Sequence, residues 1–246
     1  MDLQSGIVYG PVRSRRLGRS LGVNLAPAGQ KTCNFNCAYC PHGWTDFPAA
    51  SAFPPQGEIM DAVDRALAAD PSIESITVAG NGEPTLHPAF APIVEGLVRL
   101  RDRRAPKARL TLLSNGSTLN RMDVAYSLPR FDIRCMKLDA GDATTFRLMN
   151  AAPISLGRLL ADLRSIGRLA LQAMFVRDTE GMIDNTTPRA VNAWLDAVHQ
   201  VRPASVDLYT LARPPARASL TPVPRPVLDT IAARVTAAGI AARVFA

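Results

Sequence analysis

Lysine is nearly missing from this 246-residue chain: Lys31, Lys107 and Lys137 are the only three, and arginine supplies the rest of its 28 basic residues. Histidine is scarce, with three, and aromatic residues make up 6%. Long apolar runs are absent too. The longest stretch without a charged side chain, Thr32 to Thr45, is polar and cysteine-rich, which argues against a membrane-spanning helix. The opening MDLQSGIVYG has neither a basic n-region nor an apolar h-region, so no signal peptide is expected and a cytoplasmic protein is. Thiols stay reduced there, and a chain of this length buries enough surface to fold without disulfide staples. Acidic residues number 21, leaving a net charge of +7. That excess is a soft argument for a polyanionic partner; a soluble, arginine-rich surface is the plainer account.

What is present is alternation, with no internal repeat. Patterning predicts strands at Ser20–Leu25, Ile73–Gly80, Ala108–Asn115, Phe131–Ala140, Arg168–Arg177 and Ser205–Ala212, with a last edge strand at Ile240–Phe245. Helices fall between them at Glu58–Ala69, Pro88–Arg103, Asn120–Leu128, Ser155–Gly167, Pro188–Val201 and Pro224–Ala238. Ile59, Val63, Ala66 and Leu67 share one helix face; Phe90, Ile93, Val94, Leu97 and Leu100 share another. Strands alternating with helices over short connections argue for parallel βα units with right-handed crossovers. The expected fold is α/β: a (β/α)6 partial TIM barrel whose parallel sheet is open on one side. Residues 1–246 read as a single domain, with a basic N-terminal segment over 1–19 and a cluster and capping loop over 33–56.

Ligands in such sheets sit at the C-terminal strand edge, and strand parity sharpens the point. Cys135, Lys137 and Asp139 share one face, Met136 and Leu138 the other. Thr77, Ala79 and Asn81 align similarly, as do Thr111, Leu113 and Asn115, then Gln172 and Met174, then Asp207, Tyr209 and Leu211. Polar groups thus converge toward the late ends of several strands, and buried polar groups are costly unless partnered.

Three of the four cysteines fall in KTCNFNCAYCPHGW, as Cys33-x3-Cys37-x2-Cys40. Such clustering in a reducing compartment points to metal or redox chemistry. Three thiolates on one compact loop suit three corners of an iron–sulfur cluster. Full protein ligation of [4Fe–4S] takes four cysteines, so one iron would be left open to another ligand. A Cys3His zinc knot that adds His42 is an alternative reading, making the chain a nucleic-acid-binding module.

The loop, with Tyr39 before its last cysteine, resembles the signature of the radical S-adenosylmethionine (SAM) superfamily. The resemblance implies that Cys33, Cys37 and Cys40 hold a [4Fe–4S] cluster whose open iron chelates SAM. It also implies reductive cleavage to a 5′-deoxyadenosyl radical that abstracts hydrogen from a substrate. Gly80, Asn81, Gly82, Glu83 and Pro84 look like the family's Gly-Gly-Glu-Pro segment, which contacts the SAM ammonium, with Asn81 replacing the second glycine. SNGS, with Ser114 and Asn115, is similar to the segment that contacts ribose and carboxylate. Tyr209 and Leu211 end the strand where the family places adenine. Tyr9 to Leu25, KLDAGD (Lys137 to Asp142) and LARPP (Leu211 to Pro215) resemble the iron–sulfur oxidoreductases related to the tRNA wyosine-base synthase, but that enzyme's N-terminal cysteines are absent. The implied partners are SAM, an electron donor such as flavodoxin or ferredoxin, and a small-molecule substrate or tRNA.

The remaining candidates are read from position. Lys137 and Asp139 either meet substrate as catalytic residues or form a buried ion pair. Lys31 reads as an exposed loop lysine, with carboxylate binding or a Schiff base as alternatives. Cys135 reads as a small buried hydrophobe. The loop from Pro41 to Gln56, carrying Trp44, Phe47 and Phe53, is a candidate cap over the cluster. Arg13, Arg15, Arg16 and Arg19 are the candidate phosphate contacts for tRNA at the barrel mouth. Arg99, Arg101, Arg103 and Arg104 read as a solvated helix end.

Overall fold

The computed structural model describes residues 2–45 and 52–246. The chain opens on a hairpin, β1 (Val8–Ser14) antiparallel to β2 (Gly18–Val23). It then alternates: α1 (Gln56–Ala69), β3 (Ser75–Val78), α2 (Phe90–Arg104), β4 (Arg109–Ser114), α3 (Met122–Ser127), β5 (Ile133–Lys137). Two helices follow, α4 (Ala143–Asn150) and α5 (Leu156–Ser165), then β6 (Ala170–Met174) and the short β7 (Val176–Asp178). The last elements are α6 (Pro188–Val201), β8 (Ser205–Tyr209), β9 (Leu220–Pro222), α7 (Arg225–Ala237) and β10 (Ala241–Phe245).

One eight-stranded sheet runs in the order β1-β2-β3-β4-β5-β6-β8-β10, parallel throughout except at β1, and it does not close. This is the open partial barrel that alternation predicts. The final strand is a full member, in register with all of β8 from Ala241↔Ser205 to Phe245↔Tyr209. The hairpin strand β1 escapes prediction because YGPVRS carries glycine, proline and charge, which depress strand propensity. Expected strand Arg168–Arg177 breaks after Met174, and β7 leaves to pair with β9. Asn185 accepts from Val176 N and donates to the Met174 carbonyl, so its side chain takes the ladder's place there. Helix α4 lay unread in the sequence; Asp142 caps it, accepting from Thr144 N and Thr145 N.

Parity sets the two faces of the sheet. Outward-facing Ile76, Val78, Leu110, Leu112, Met136, Leu138, Leu171, Val206 and Leu208 are fully buried under the helices. Helix α1 applies Ile59, Val63 and Leu67, and α2 applies Phe90, Ile93, Val94, Leu97 and Leu100. The inward face is polar. Ser20 Oγ lies 2.7 Å from Thr77 Oγ1, Ser75 Oγ 3.1 Å from Thr77 Oγ1, and Ser75 Oγ 2.9 Å from Thr111 Oγ1. These hydroxyls satisfy one another across β2, β3 and β4, which removes most of the desolvation cost of a polar interior.

The N-terminal arginines lie elsewhere than expected. Ser14 pairs with Gly18 at the start of β2, so the turn carrying Arg15 and Arg16 is at the opposite end of the sheet from the cysteine loop, which follows the end of β2. Arg16 turns inward to Asp207, 3.5 Å away, and Arg19 pairs with Asp70 at 2.5 Å. A residue just before a parallel strand belongs to its bottom edge, and that geometry overrides the expected phosphate patch at the mouth. The arginines at the end of α2 are bound to carboxylates: Arg101 to Asp132, Arg103 and Arg104 to Asp64.

Candidate active site

The cysteine loop is fastened at two places. At its start Thr32 bridges Gly82: Thr32 N donates to the Asn81 carbonyl at 2.7 Å, and Glu83 N donates to the Thr32 carbonyl at 2.9 Å. Further on, Asn36 N donates to Asn150 O and Ala38 N to Met149 O, both at 2.9 Å, seating the loop on the end of α4. Phe35 meets Phe146 of α4 edge-on. Gly82 sits at φ +141°, and a Cβ there would lie 1.8 Å from the Thr32 carbonyl oxygen. Gly141 serves a similar end, its backbone pressed against α6 where a Cβ would lie 2.0 Å from the Ala193 carbonyl oxygen.

Cys33, Cys37 and Cys40 line one cavity of about 410 Å3 at the C-terminal ends of the strands. Gly80, Gly82, Glu83, Ser114, Asn115 and Lys137 complete its walls, with Lys31, Tyr39 and Arg213. Asn115 Nδ2 donates to Cys33 Sγ at 3.8 Å and Asn150 Nδ2 to Cys37 Sγ at 3.4 Å. Burial, then the neighbouring Cys37 and Glu83, push the Cys33 thiol up to about 12. Burial likewise raises Cys37. Thiolates in so buried a loop need positive charge beside them, and a multi-iron cluster would supply it. Among the described residues no three His, Cys, Asp or Glu side chains gather on one ion position. Three sulfurs on one cavity suit three corners of a cluster, and His42, the fourth ligand of the zinc alternative, lines the same cavity.

Glu83 is buried and its carboxylate is already engaged. Oε1 accepts from Thr85 N, Thr85 Oγ1 and Ser114 Oγ, and Oε2 accepts from Asn115 N at 2.6 Å. Burial pushes its carboxyl up, and these four donors work against that. It ties the GNGEP loop to SNGS. Asn81 is fully buried and bonds Gln4 N, Gln4 O and Pro27 O, so it clamps the N-terminal segment and does not line the cavity. Pro84 opens a buried turn, Pro84–Leu86.

Lys137 and Asp139 meet through Tyr39. Lys137 Nζ donates to Tyr39 Oη at 2.7 Å, and that hydroxyl donates to Asp139 Oδ2 in a short bond. Asp139 also accepts from Asn150 Nδ2 at 2.7 Å and Met174 N at 2.8 Å, with no side-chain exposure. Asp139 thus lies beneath Tyr39, off the cavity wall, while Lys137 is on it. Burial opposes the Lys137 charge, but Asp139 and the three cysteine sulfurs outweigh it and hold the group above the ordinary lysine value, an ammonium. Tyr209 and Leu211 do not line this cavity; Tyr209 stacks on Phe245 at 5.1 Å beneath Arg16. Lys31 is buried, contrary to the exposed reading, because its Nζ reaches back to the Gly43 carbonyl at 2.5 Å. Cys135 is buried on the inward face, apart from the loop.

Of the candidate cap, Phe47 lies outside the described residues, Trp44 is half exposed, and Phe53 packs edge-on against His87. His87 Nδ1 accepts from Ala89 N and Nε2 bonds the Pro54 carbonyl, both at 3.0 Å, which fixes a neutral ring. Burial holds its pKa below the ordinary 6.5. An unfolded His87 gains a proton near 6.5 that the folded ring refuses, so its stabilisation is present above that pH and lost as pH falls through the lowered value. The urea midpoint should fall between pH 7.5 and 5.5, and less so in His87→Gln. Equal falls in both proteins would rule out this role.

Sequence reading missed Asn34, Asn36 and Asn150, which hold the loop and Cys37. Asp142 followed by two threonines was the available signal, since a capped α4 is what puts Asn150 there.

Comparison with known proteins agrees with this geometry. The profile of the radical SAM superfamily matches residues 29–143. UPF0026 protein slr1464 of Synechocystis is 33% identical over 218 residues, covering 84% of this chain and 76% of that protein. A Streptococcus suis SuiB structure with bound S-adenosylmethionine superposes with TM-score 0.66 at 11% identity, over 92% of this chain and 50% of SuiB. A structure of TYW1 with a lysine–pyruvate adduct superposes with TM-score 0.63 at 12% identity, over 89% of this chain and 73% of TYW1. Among curated relatives the chain spans between 31% and 76% of their length. The profile takes in all three loop cysteines together with Glu83, Ser114, Asn115 and Lys137 of their cavity, and the chain belongs to the radical SAM superfamily, beside the UPF0026 proteins.

Proposed function

We propose that this chain holds one [4Fe–4S] cluster on Cys33, Cys37 and Cys40, takes S-adenosylmethionine beside it, and acts on a small molecule. The observation that carries the reading is one strand-end cavity shared by the three thiols, Glu83, Ser114, Asn115 and Lys137. The likeness to SuiB with bound SAM supports the cofactor. Bound together, cluster and SAM supply a 5′-deoxyadenosyl radical that takes a hydrogen atom from substrate.

The chain's own residues bind and orient. Glu83, locked by four donors, fixes two loops and sets negative charge beside the site of SAM's ammonium. Ser114 and Asn115 present the ribose and carboxylate side. Lys137 is an ammonium, suited to gripping a carboxylate of SAM or substrate and unsuited to attack as a free amine. Asp139 is a positioning residue, fixing Tyr39 and through it Lys137. Asn115 and Asn150 donate to two of the sulfurs, a lever on cluster potential. A flavodoxin or ferredoxin supplies the electron. The bottom-edge placement of the N-terminal arginines favours a small substrate over tRNA.

The test is anaerobic reconstitution. Wild type and Cys135→Ala should each hold about four irons per chain. Single Cys33→Ala, Cys37→Ala and Cys40→Ala variants should hold few. Reduced wild type should release 5′-deoxyadenosine from SAM. A colourless protein that retains zinc after reconstitution would overturn the reading.

A further inference from the structure

The opposite end of the barrel has its own cavity, of about 420 Å3, at the starts of β4, β5, β6 and β8. Five arginines line it: Arg16, Arg109, Arg134, Arg168 and Arg243. Two carboxylates face them, Asp132 and Asp207, and both are already in use. Asp132 accepts from Arg101 and from Leu110 N. Asp207 accepts two bonds from Arg243, at 2.8 and 3.1 Å, and faces Arg16 at 3.5 Å. Among the described residues, the guanidinium groups of Arg109, Arg134 and Arg168 have no ion pair. Deeper in the barrel, Arg16 Nη1, Tyr209 Oη and Gln172 Nε2 are buried without a hydrogen-bond partner.

We propose that this cavity binds a phosphorylated small molecule, at a site separate from the cysteine cavity. Three uncompensated guanidinium groups around one recess repel one another, and a recess with low-dielectric walls concentrates their field. A polyvalent anion relieves that repulsion where a monocarboxylate meets only part of it. The guanidinium fork matches phosphate oxygens two at a time. The volume lies within the range of small-molecule sites. The inner wall includes the buried side chains of Cys135 and Asp207, so a compact ligand reaches it, whereas a polynucleotide backbone meets only the rim. Buried donors without a hydrogen bond are uncommon and point to a missing acceptor; Arg16 Nη1, on the same cavity and held only by its 3.5 Å ion pair with Asp207, is the one a bound phosphate oxygen would engage.

Titration calorimetry of the full chain with inorganic pyrophosphate tests the proposal, at low salt and again near 0.15 M, where the screening length is about 8 Å. Wild type should bind at both salts. Arg109→Gln/Arg168→Gln should bind at least tenfold more weakly, while Arg65→Gln/Arg99→Gln, an equal loss of charge elsewhere, should bind as wild type does. Matching thermal melts will show that the variants fold. No binding by wild type, or equal weakening in both double variants, would overturn the site. A short oligoribonucleotide that binds more tightly than pyrophosphate, and suffers as much from the Arg109/Arg168 change, would overturn the small-molecule assignment.

Discussion

Gly82→Ala will unseat the cysteine loop. The added Cβ would lie 1.8 Å from the Thr32 carbonyl oxygen, 2.4 Å from its carbon and 3.1 Å from Cys33 N. All three are backbone atoms, so no side chain can swing aside. Separation would break the Thr32 N to Asn81 O and Glu83 N to Thr32 O bonds that form the bridge. The φ of +141° is itself unfavourable for alanine. Clash, strain and two lost bonds together should cost more than about 3 kcal/mol. Urea denaturation checks this, with Gly57→Ala as the control. Gly57 lies early in α1 with nothing near its would-be Cβ, so alanine there should be neutral or stabilising by up to about 1 kcal/mol. A Gly82→Ala protein with the wild-type midpoint and full iron content would sink the account of the loop.

Asp139→Ala should destabilise by about 3–5 kcal/mol, the scale of a buried charge left alone. The carboxylate is wholly enclosed and answers the Tyr39 hydroxyl, the Asn150 amide and Met174 N. Lys137 lies 3.8 Å away. Removal strands three donors and an ammonium at once. Asp139→Asn should lose less, because an amide still accepts on one side while turning its own N–H toward a donor on the other. The order Ala worse than Asn worse than wild type, read from urea midpoints, is the expected result. An alanine variant within about 1 kcal/mol of wild type would show that the network carries little weight.

Legibility followed period and spacing. Helix stripes such as Phe90, Ile93, Val94, Leu97 and Leu100 are long and repeat at 3.6 residues, so they are readable and bury as expected. Parity alone puts Lys137, at the end of β5, and Asp139, two residues beyond it, on the inward side. It could not show that Tyr39, a hundred positions from Asp139, stands between them, since cross-chain hydrogen bonds leave no local trace. The three cysteines were legible because their clustering is itself the chemistry. Lys31 was misread because lysines are usually exposed, and the Gly43 carbonyl that captures it is fixed only by the folded loop. The N-terminal arginines were misplaced for want of β1. With the hairpin unseen, nearness in sequence to β2 suggested nearness to its far end.

That hairpin has a bearing on solution behaviour. An unclosed sheet has two margins of unsatisfied backbone groups, on which a stranger's strand can lay itself down. On one margin Pro11 offers no N–H, the register slips between Tyr9 and Val12, and Arg13 is solvent-exposed on the outermost strand. At the other, Arg243 stands in β10, and the Ala246 carbonyl accepts from Arg15 on the far side of the opening. Each margin is blunted by its own residues, so edge-to-edge pairing of one copy's sheet with another's is discouraged at both.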